Sequence, residues 1–455
     1  MAKTWATKCC SGTYKNNYQL CCGIKVGYTF LKKIYIVLYI FRIFATHNIY
    51  KGYNIYQLYI MGLLQERYKK YREPQKFMEA GVYCYFREIT GKQGTEVLMD
   101  GRKVLMFGSN AYTGLTGDPR VEAAAKKAID QYGTGCAGSR FLNGTLDIHV
   151  KLEKELAEFE HKDDALCFST GFTVNSGVIS VVCGRGDYII CDDRDHASIV
   201  DGRRLSFATC LKYKHNDMGD LEEQLKKCRP EAIKLIVVDG VFSMEGDLAN
   251  LPEIVRLKKK YNASILVDEA HGLGVFGKEG RGVCDHFGVT DDVDLIMGTF
   301  SKSLASIGGF IAGDKDTINY LRHTCRTYIF SASNTPAATA AAMEALHIIR
   351  REPERMEKLW RVTNYALTRF REEGFEIGET ESPIIPLYVR DVDKTFVVTK
   401  MAFDAGVFIN PVIPPACAPQ DTLVRFALMA THTEEQVERG VQALKKVFVD
   451  QGIIK

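Results

Sequence analysis

The stretch SILVDEAHGLGVFGKEGRGVCDHFGVTDDVDLIMGTFSKS, residues 264–303, decides the fold. It opens on a short apolar run, SILVD (264–268), that ends in Asp268 with His271 just beyond. A second run, DLIMGTF (294–300), then delivers Ser301 and Lys302. Short apolar runs bounded by glycine and polar residues are what strands buried on both faces look like. Outward from this stretch the signal recurs in ALCFS (165–169), YIICD (188–192), KLIVVD (234–239) and GFIAG (309–313), with helical stretches between. Strands alternating with helices predict an α/β fold with a largely parallel sheet covered on both faces. Asp192, Asp239, Asp268 and the Ser301–Lys302 pair fall just past strand ends, where open α/β sheets bind ligands.

The flanking sequence completes the architecture. MGLLQERYKKYREPQKFMEAG (61–81) reads as one amphipathic helix, followed by short strands in VLMDGRKVLMFGS. DPRVEAAAKKAIDQYG carries Asp118 as N-cap, Pro119 at the first helical position and Gly133 past the end. Ile148, Leu152, Leu156 and Phe159 form one helical stripe, and a further helical stretch covers about 335–372. SPIIPLYV, GVFIN and the tail THTEEQVERGVQALKKVF then predict a smaller α+β domain. The expected division is an atypical extension over 1–60, an N-terminal helix and strands over 61–110, a large domain over 111–347 and a small C-terminal domain over 348–455.

Composition supports a folded, non-nucleic-acid protein. The chain has 455 residues, 46% hydrophobic and 25% charged, enough apolar material for a sizeable core. Its net charge of +3 is unevenly spread. Residues 1–60 hold eight Lys or Arg and no acid, which leaves 51 basic against 56 acidic groups in the rest. An acidic body lacks the clustered cations that neutralise phosphates. The extension also holds nine of the 22 tyrosines, and its apolar run IYIVLYIF (34–41) is bracketed by Lys32, Lys33 and Arg42, too short to span a bilayer. Its composition predicts a non-native or disordered segment, with the functional chain expected to begin at Met61. Past residue 61 the cysteines are singletons with no CxxC pair for zinc or redox exchange, which fits a reducing, cytoplasmic compartment.

Two motifs invite other readings. GTGCAG (133–138) matches the glycine pattern of dinucleotide binding, but a helix precedes it where a strand is required, so a glycine-rich active-site loop fits better. DEAH (268–271) occurs in nucleic-acid helicases, but no GxxxxGK[ST] loop accompanies it. Lys302, set among Ser301, Ser303 and a GG pair after an apolar strand, reads instead as a buried amine of low pKa suited to a Schiff base. An Asp at one strand end and a Lys after a later one are the two groups pyridoxal phosphate requires.

YGTGCAGSRFLNGT, FSTGFTVNSG, DRDHASIVDGRRLS, DGVFSMEGDLANLPEI, VDEAHGLGVFGKEGRG and GTFSKS together resemble, in order and spacing, the α-oxoamine synthases. These are fold-type-I pyridoxal-phosphate enzymes that condense an amino acid with an acyl-CoA and release CO2. The resemblance runs from about residue 80 to the end. It implies a mostly parallel seven-stranded sheet, a homodimer with active sites at the interface and pyridoxal 5'-phosphate as cofactor. It assigns Lys302 as the Schiff-base lysine, Asp268 as partner of the pyridinium nitrogen, and His196 as the residue stacked on the ring and touching the substrate carboxylate. It places His271 and Ser243 at the ring hydroxyl. Gly171, Phe172, Thr299 and Ser333 come at the phosphate, the last from the partner subunit, and Asn110 and Arg425 at the amino acid's carboxylate. TFSKS, GVYCYFREI and PPACAP (414–419) resemble the branch that takes L-serine and a long-chain acyl-CoA, with glycine and acetyl-CoA as the alternative. Thr113 departs from the family's NxYLGL pattern, which usually has Leu there.

Overall fold

The computed structural model describes residues 62–455; the extension read over residues 1–60 lies outside them. Of the described residues, 62–74 belong to one unit and Gln75–Lys455 form a second. The helix expected over 61–81 is two helices, Leu63–Lys69, which buries none of its residues, and Glu73–Glu79. Pro74 causes the break: it lacks an N–H and clashes with a preceding turn, so a helix accepts it only at its start. The same physics divides the stretch read over 335–372 into Pro336–Arg351 and Glu354–Glu372 at Pro353.

Strands β1 (Ile89–Thr90), β2 (Glu96–Met99) and β3 (Arg102–Met106) form an antiparallel meander. The central sheet then uses β4 (Asp164–Phe168), β5 (Tyr188–Asp192), β6 (Thr209–Tyr213), β7 (Lys234–Asp239), β8 (Ser264–Asp268), β9 (Leu295–Thr299) and β10 (Gly309–Gly313). Their order is β4-β10-β9-β8-β7-β5-β6, so the seven-stranded expectation holds. Strands β5 to β9 pair in parallel, whereas β10 runs antiparallel to both β4 and β9. The reversal follows from length, since the link from β9 to β10, residues 300–308, is shorter than the dozen or so residues a parallel crossover needs. Edge strand β6, TCLKY, is mostly exposed, which is why no apolar run announces it.

Within the central strands alternate residues enter different cores. Ile265 and Val267 of β8 pack with Ile190, Ile236 and Val238 on one face, while Leu266 packs with Ile189, Leu235 and Val237 on the other. Each such fully buried aliphatic side chain stabilises the fold by about 1.5–3 kcal/mol. Helix Pro119–Tyr132 begins as its sequence predicts, with Asp118 accepting from the Arg120 N–H at 2.9 Å and Gly133 ending it at φ 83°. The stripe Ile148, Leu152, Leu156 and Phe159 is buried.

Beyond β11 (Ile384–Tyr388) the chain adds β12 (Val407–Phe408), β13 (Asn410–Val412) and β14 (Leu423–Ala427). β11, β14 and β13 make a three-stranded antiparallel sheet, and β12 returns to pair in parallel with β3. The tail helix Glu434–Asp450 opens with a Thr433–Gln436 capping box. Among the described residues no helix is long and apolar enough to cross a membrane.

Candidate active site

Asp239 and Asp268 end neighbouring parallel strands in direct register. Lys302 lies on the tight link between β9 and β10, which is closed by bonds from the Phe300 N–H to the Gly308 carbonyl and from the Ser306 N–H to the Phe300 carbonyl, both 3.0 Å. Burial lowers the Lys302 amine to about 8, with Asp268 and Asp239 opposing the shift and Arg425 adding to it. Thr113 braces this link: it is buried, and its hydroxyl donates to the Ser303 carbonyl at 2.7 Å. The family departure at Thr113 therefore falls on the support of the lysine.

Asp268 is buried and takes two bonds, from the Ala270 N–H at 2.8 Å and from Asn175 Nδ2 at 2.7 Å. Its neighbour Asp239 is raised well above the carboxylate range, by burial first and by Asp268 second. Asp239 accepts the His196 backbone N–H at 2.7 Å, fixing where the histidine enters its helix, Ala197–Leu205. His196 is exposed at the surface of the site, yet partial desolvation holds its pKa below the usual histidine value against the pull of Asp268. Asp192, the third strand-end acid, does different work: it holds His215 Nδ1 at 3.0 Å and the Asn216 N–H.

Gly171 and Phe172 begin helix Gly171–Val182. A capping box between Thr170 and Thr173 takes up the amides of those two residues and leaves the N–H groups of Gly171 and Phe172 outside it, facing an anion-favouring helix end. A side chain at Gly171 would place its Cβ 2.8 Å from Thr299 Oγ1 and 2.9 Å from Thr299 Cβ. Glycine is needed for that approach, which sets Thr299 beside the two amides. Ser333 donates its N–H and its hydroxyl to the Gly138 carbonyl, at 3.1 and 3.3 Å.

On the other side of Lys302, Arg425 is buried at the centre of the small sheet, paired with Pro386 and Asn410. Its Nε donates to the Ser243 carbonyl at 2.7 Å and its Nη2 to the Tyr112 hydroxyl at 3.2 Å. Tyr112 Oη lies 2.6 Å from His271 Nδ1 and 3.4 Å from Asn110 Oδ1. Burial, then Lys302 and Arg425, hold His271 well below the usual histidine range. Sequence reading found the ends of this chain of contacts and missed Tyr112, its middle. It also missed Asn175 and Ser198. A signal existed for Asn175: it is an amide inside GFTVNSGVISVV, a helix otherwise apolar around most of its circumference, where a buried polar group must have a partner.

These residues fit pyridoxal phosphate. Free amides beside Thr299 suit a phosphate, Asp268 offers a buried carboxylate, Lys302 an amine of lowered pKa, and His196 an aromatic ring at the open side. The comparisons agree. The chain belongs to the aminotransferase class I and II family, a pyridoxal-phosphate family whose description matches residues 102–444, and within it to the α-oxoamine synthases, the class the site defines. It is 78% identical over 388 residues to the serine palmitoyltransferase of Bacteroides ovatus, covering 85% of this chain and 98% of that relative. The solved serine palmitoyltransferase of Sphingomonas wittichii is 38% identical, with a TM-score of 0.84 over 87% of this chain and all of that one. A high-resolution serine palmitoyltransferase structure containing pyridoxal phosphate has the same TM-score and coverage at 34% identity.

Proposed function

We propose that this protein condenses L-serine with palmitoyl-CoA, releasing CoA and CO2 and giving 3-oxosphinganine, with pyridoxal 5'-phosphate as cofactor. The observation that carries the reading is the 78% identity to a curated serine palmitoyltransferase across nearly its whole length, and it is supported by a site whose residues suit the cofactor's phosphate, ring and aldehyde and the amino acid's carboxylate. Pyridoxal phosphate, when bound, supplies an aldehyde for the amino group and a ring that draws electron density from the α-carbon. Lys302, Asp268 and His196, with Gly171, Phe172, Thr299, Ser243 and His271, would hold it. In the proposed dimer the partner subunit's Ser333 adds a phosphate contact.

Each side chain has a task its surroundings suit. Arg425, already fixed through Nε and Nη2, offers its remaining nitrogen to the serine carboxylate, with Asn110 alongside. Lys302 Nζ, lowered to about 8, is neutral often enough near physiological pH to take the α-proton. Asp268, held by Asn175 and the Ala270 N–H, would place its carboxylate at the ring nitrogen. His196 polarises the thioester carbonyl as charge develops on its oxygen. Location in the cytoplasm belongs to the same proposal.

The test is a matrix of amino acids against acyl-CoA lengths read by product mass. The expected result is the highest kcat/KM for L-serine with a long-chain acyl-CoA. Higher kcat/KM for glycine with acetyl-CoA would overturn the substrate assignment and make the protein a sister enzyme of the same family.

A further inference from the structure

Between Asp268 and His196 runs a buried chain of hydrogen bonds whose direction is fixed by what each group is able to donate. Asn175, Ser198 and Asp268 are 0, 1 and 3% exposed. The Asn175 amide nitrogen has two hydrogens and spends both, one on Asp268 Oδ2 at 2.7 Å and one on Ser198 Oγ at 2.9 Å. Ser198 Oγ, having accepted from Asn175, has its single hydrogen left for His196 Nδ1 at 2.8 Å. The Ser198 backbone N–H donates to the same Nδ1 at 3.2 Å. Two donors converge on Nδ1, so that nitrogen is the unprotonated one and the ring's proton sits on Nε2.

We propose that Asn175 and Ser198 are positioning residues that lock His196 in its Nε2–H form, so that the imidazole presents a donor, and not a lone pair, to the substrate. The lock also ties the His196 ring to the carboxylate that faces the ring nitrogen of the cofactor, because one amide group holds both. The backbone is built for it. Helices Gly171–Val182 and Ala197–Leu205 approach so closely at Gly202 that a Cβ there would lie 2.7 Å from the Asn175 carbonyl oxygen and 3.0 Å from Ile179 Cβ. Without that approach Asn175 and Ser198 would not meet. The charged groups that act on His196 are Asp268, which favours a second proton, and Lys302, which disfavours it.

The inference rests on the reading of the site given above, and its test is separate from turnover. Holoenzyme labelled with 15N-histidine, with His196→Asn to assign the resonance, is expected to show a pyridine-type shift at Nδ1 and a pyrrole-type shift at Nε2. In Asn175→Asp the new carboxylate accepts the Ser198 hydroxyl hydrogen, Nδ1 keeps only the longer backbone N–H of Ser198, and the share of the Nδ1–H form is expected to rise. Ser198→Ala, which removes only a hydroxyl, keeps the idea testable should Asn175→Asp fail to fold. It is expected to mix the two forms and lower kcat/KM for serine about tenfold, the scale of one hydrogen bond, with Ser198→Thr restoring both readouts. A protonated Nδ1 in the parent enzyme, or shifts unchanged in Ser198→Ala, would overturn the lock. Failure of serine to react, with the parental shifts as expected, would sink the substrate reading and leave the lock standing.

Discussion

Lys302 carries a cost that is visible without any substrate. Its pKa of about 8 lies below that of an exposed lysine because burial penalises the ammonium form. Between about 8 and 10.5 the unfolded chain binds more protons at this residue than the folded one, so stability rises with pH in that window, and below it the full penalty is present. Lys302→Met should abolish turnover in the holoenzyme, and in the cofactor-free protein it should raise the unfolding free energy at pH 7, by about 3 kcal/mol at most. Denaturant unfolding checks this, and equal or lower stability would mean that the amine is not desolvated. Tyr112 makes the complementary case. Its hydroxyl joins Arg425 Nη2 to His271 Nδ1, so Tyr112→Phe leaves two buried groups short of a partner. Because the damage centres on Arg425, the proposed anchor of the serine carboxylate, KM for serine should rise about tenfold with a smaller change in kcat. A fall in kcat alone would place Tyr112 in the chemistry and not in binding.

The elements matter through where they begin and end. Helix Gly171–Val182 serves three groups from one scaffold: its first amides face the proposed phosphate position, Gly171 admits Thr299, and Asn175 reaches Asp268. Gly171→Ala puts a methyl group within 2.9 Å of Thr299 and has no room to take up the conflict, since Gly309 packs against the Gly171 Cα from another strand. The variant should fold but bind pyridoxal phosphate at least about tenfold more weakly, as equilibrium dialysis would measure; parental affinity would remove this helix end from the phosphate site. This scale also separates what sequence makes legible from what it does not. The Asp118 cap and buried runs such as SILVD are local, and they appear where their residues predict them. The turn of β10 is a matter of connection length, legible but easily passed over. β6 has no local signal, because TCLKY becomes a strand through pairing with β5 and not through an apolar pattern.

At the scale of the molecule, the candidate site was legible as separate residues but not as a network. Lys302, Asp268 and His196 are given roles by their motifs, whereas Tyr112, Asn175 and Ser198 stand in family motifs without an assigned role, and what they do appears only when Tyr112 meets His271 and Arg425 and when Asn175 meets Ser198 and Asp268. The same holds for His215, which joins the carboxyl ends of the sheet. Its Nδ1 meets Asp192 at 3.0 Å at the end of β5, its Nε2 meets Asp247 at 2.9 Å beyond β7, and its ring lies edge-on to Phe242 at 4.4 Å. Burial opposes the charged imidazole, but the two carboxylates outweigh it and raise the pKa to about 9. A histidine whose folded pKa exceeds its unfolded value of about 6.5 binds more protons in the folded state between those values. Its contribution is complete below pH 6.5 and is lost as pH rises through 9. The difference in unfolding free energy between the parent and His215→Gln should follow that course, at about 3 kcal/mol or less at pH 6 and shrinking steadily toward pH 9.5. Taking the difference cancels other groups that titrate nearby, among them the raised carboxyls of Asp195 and Asp239. His432, lowered to about 4 by burial, acts in a separate window: its contribution is present above about pH 6.5 and falls away as pH drops toward 4, so it does not blur the alkaline limb. A difference that stays constant from pH 6 to 9.5 would show that His215 holds the strand ends by packing on Phe242 and by neutral hydrogen bonds, with its charge contributing nothing.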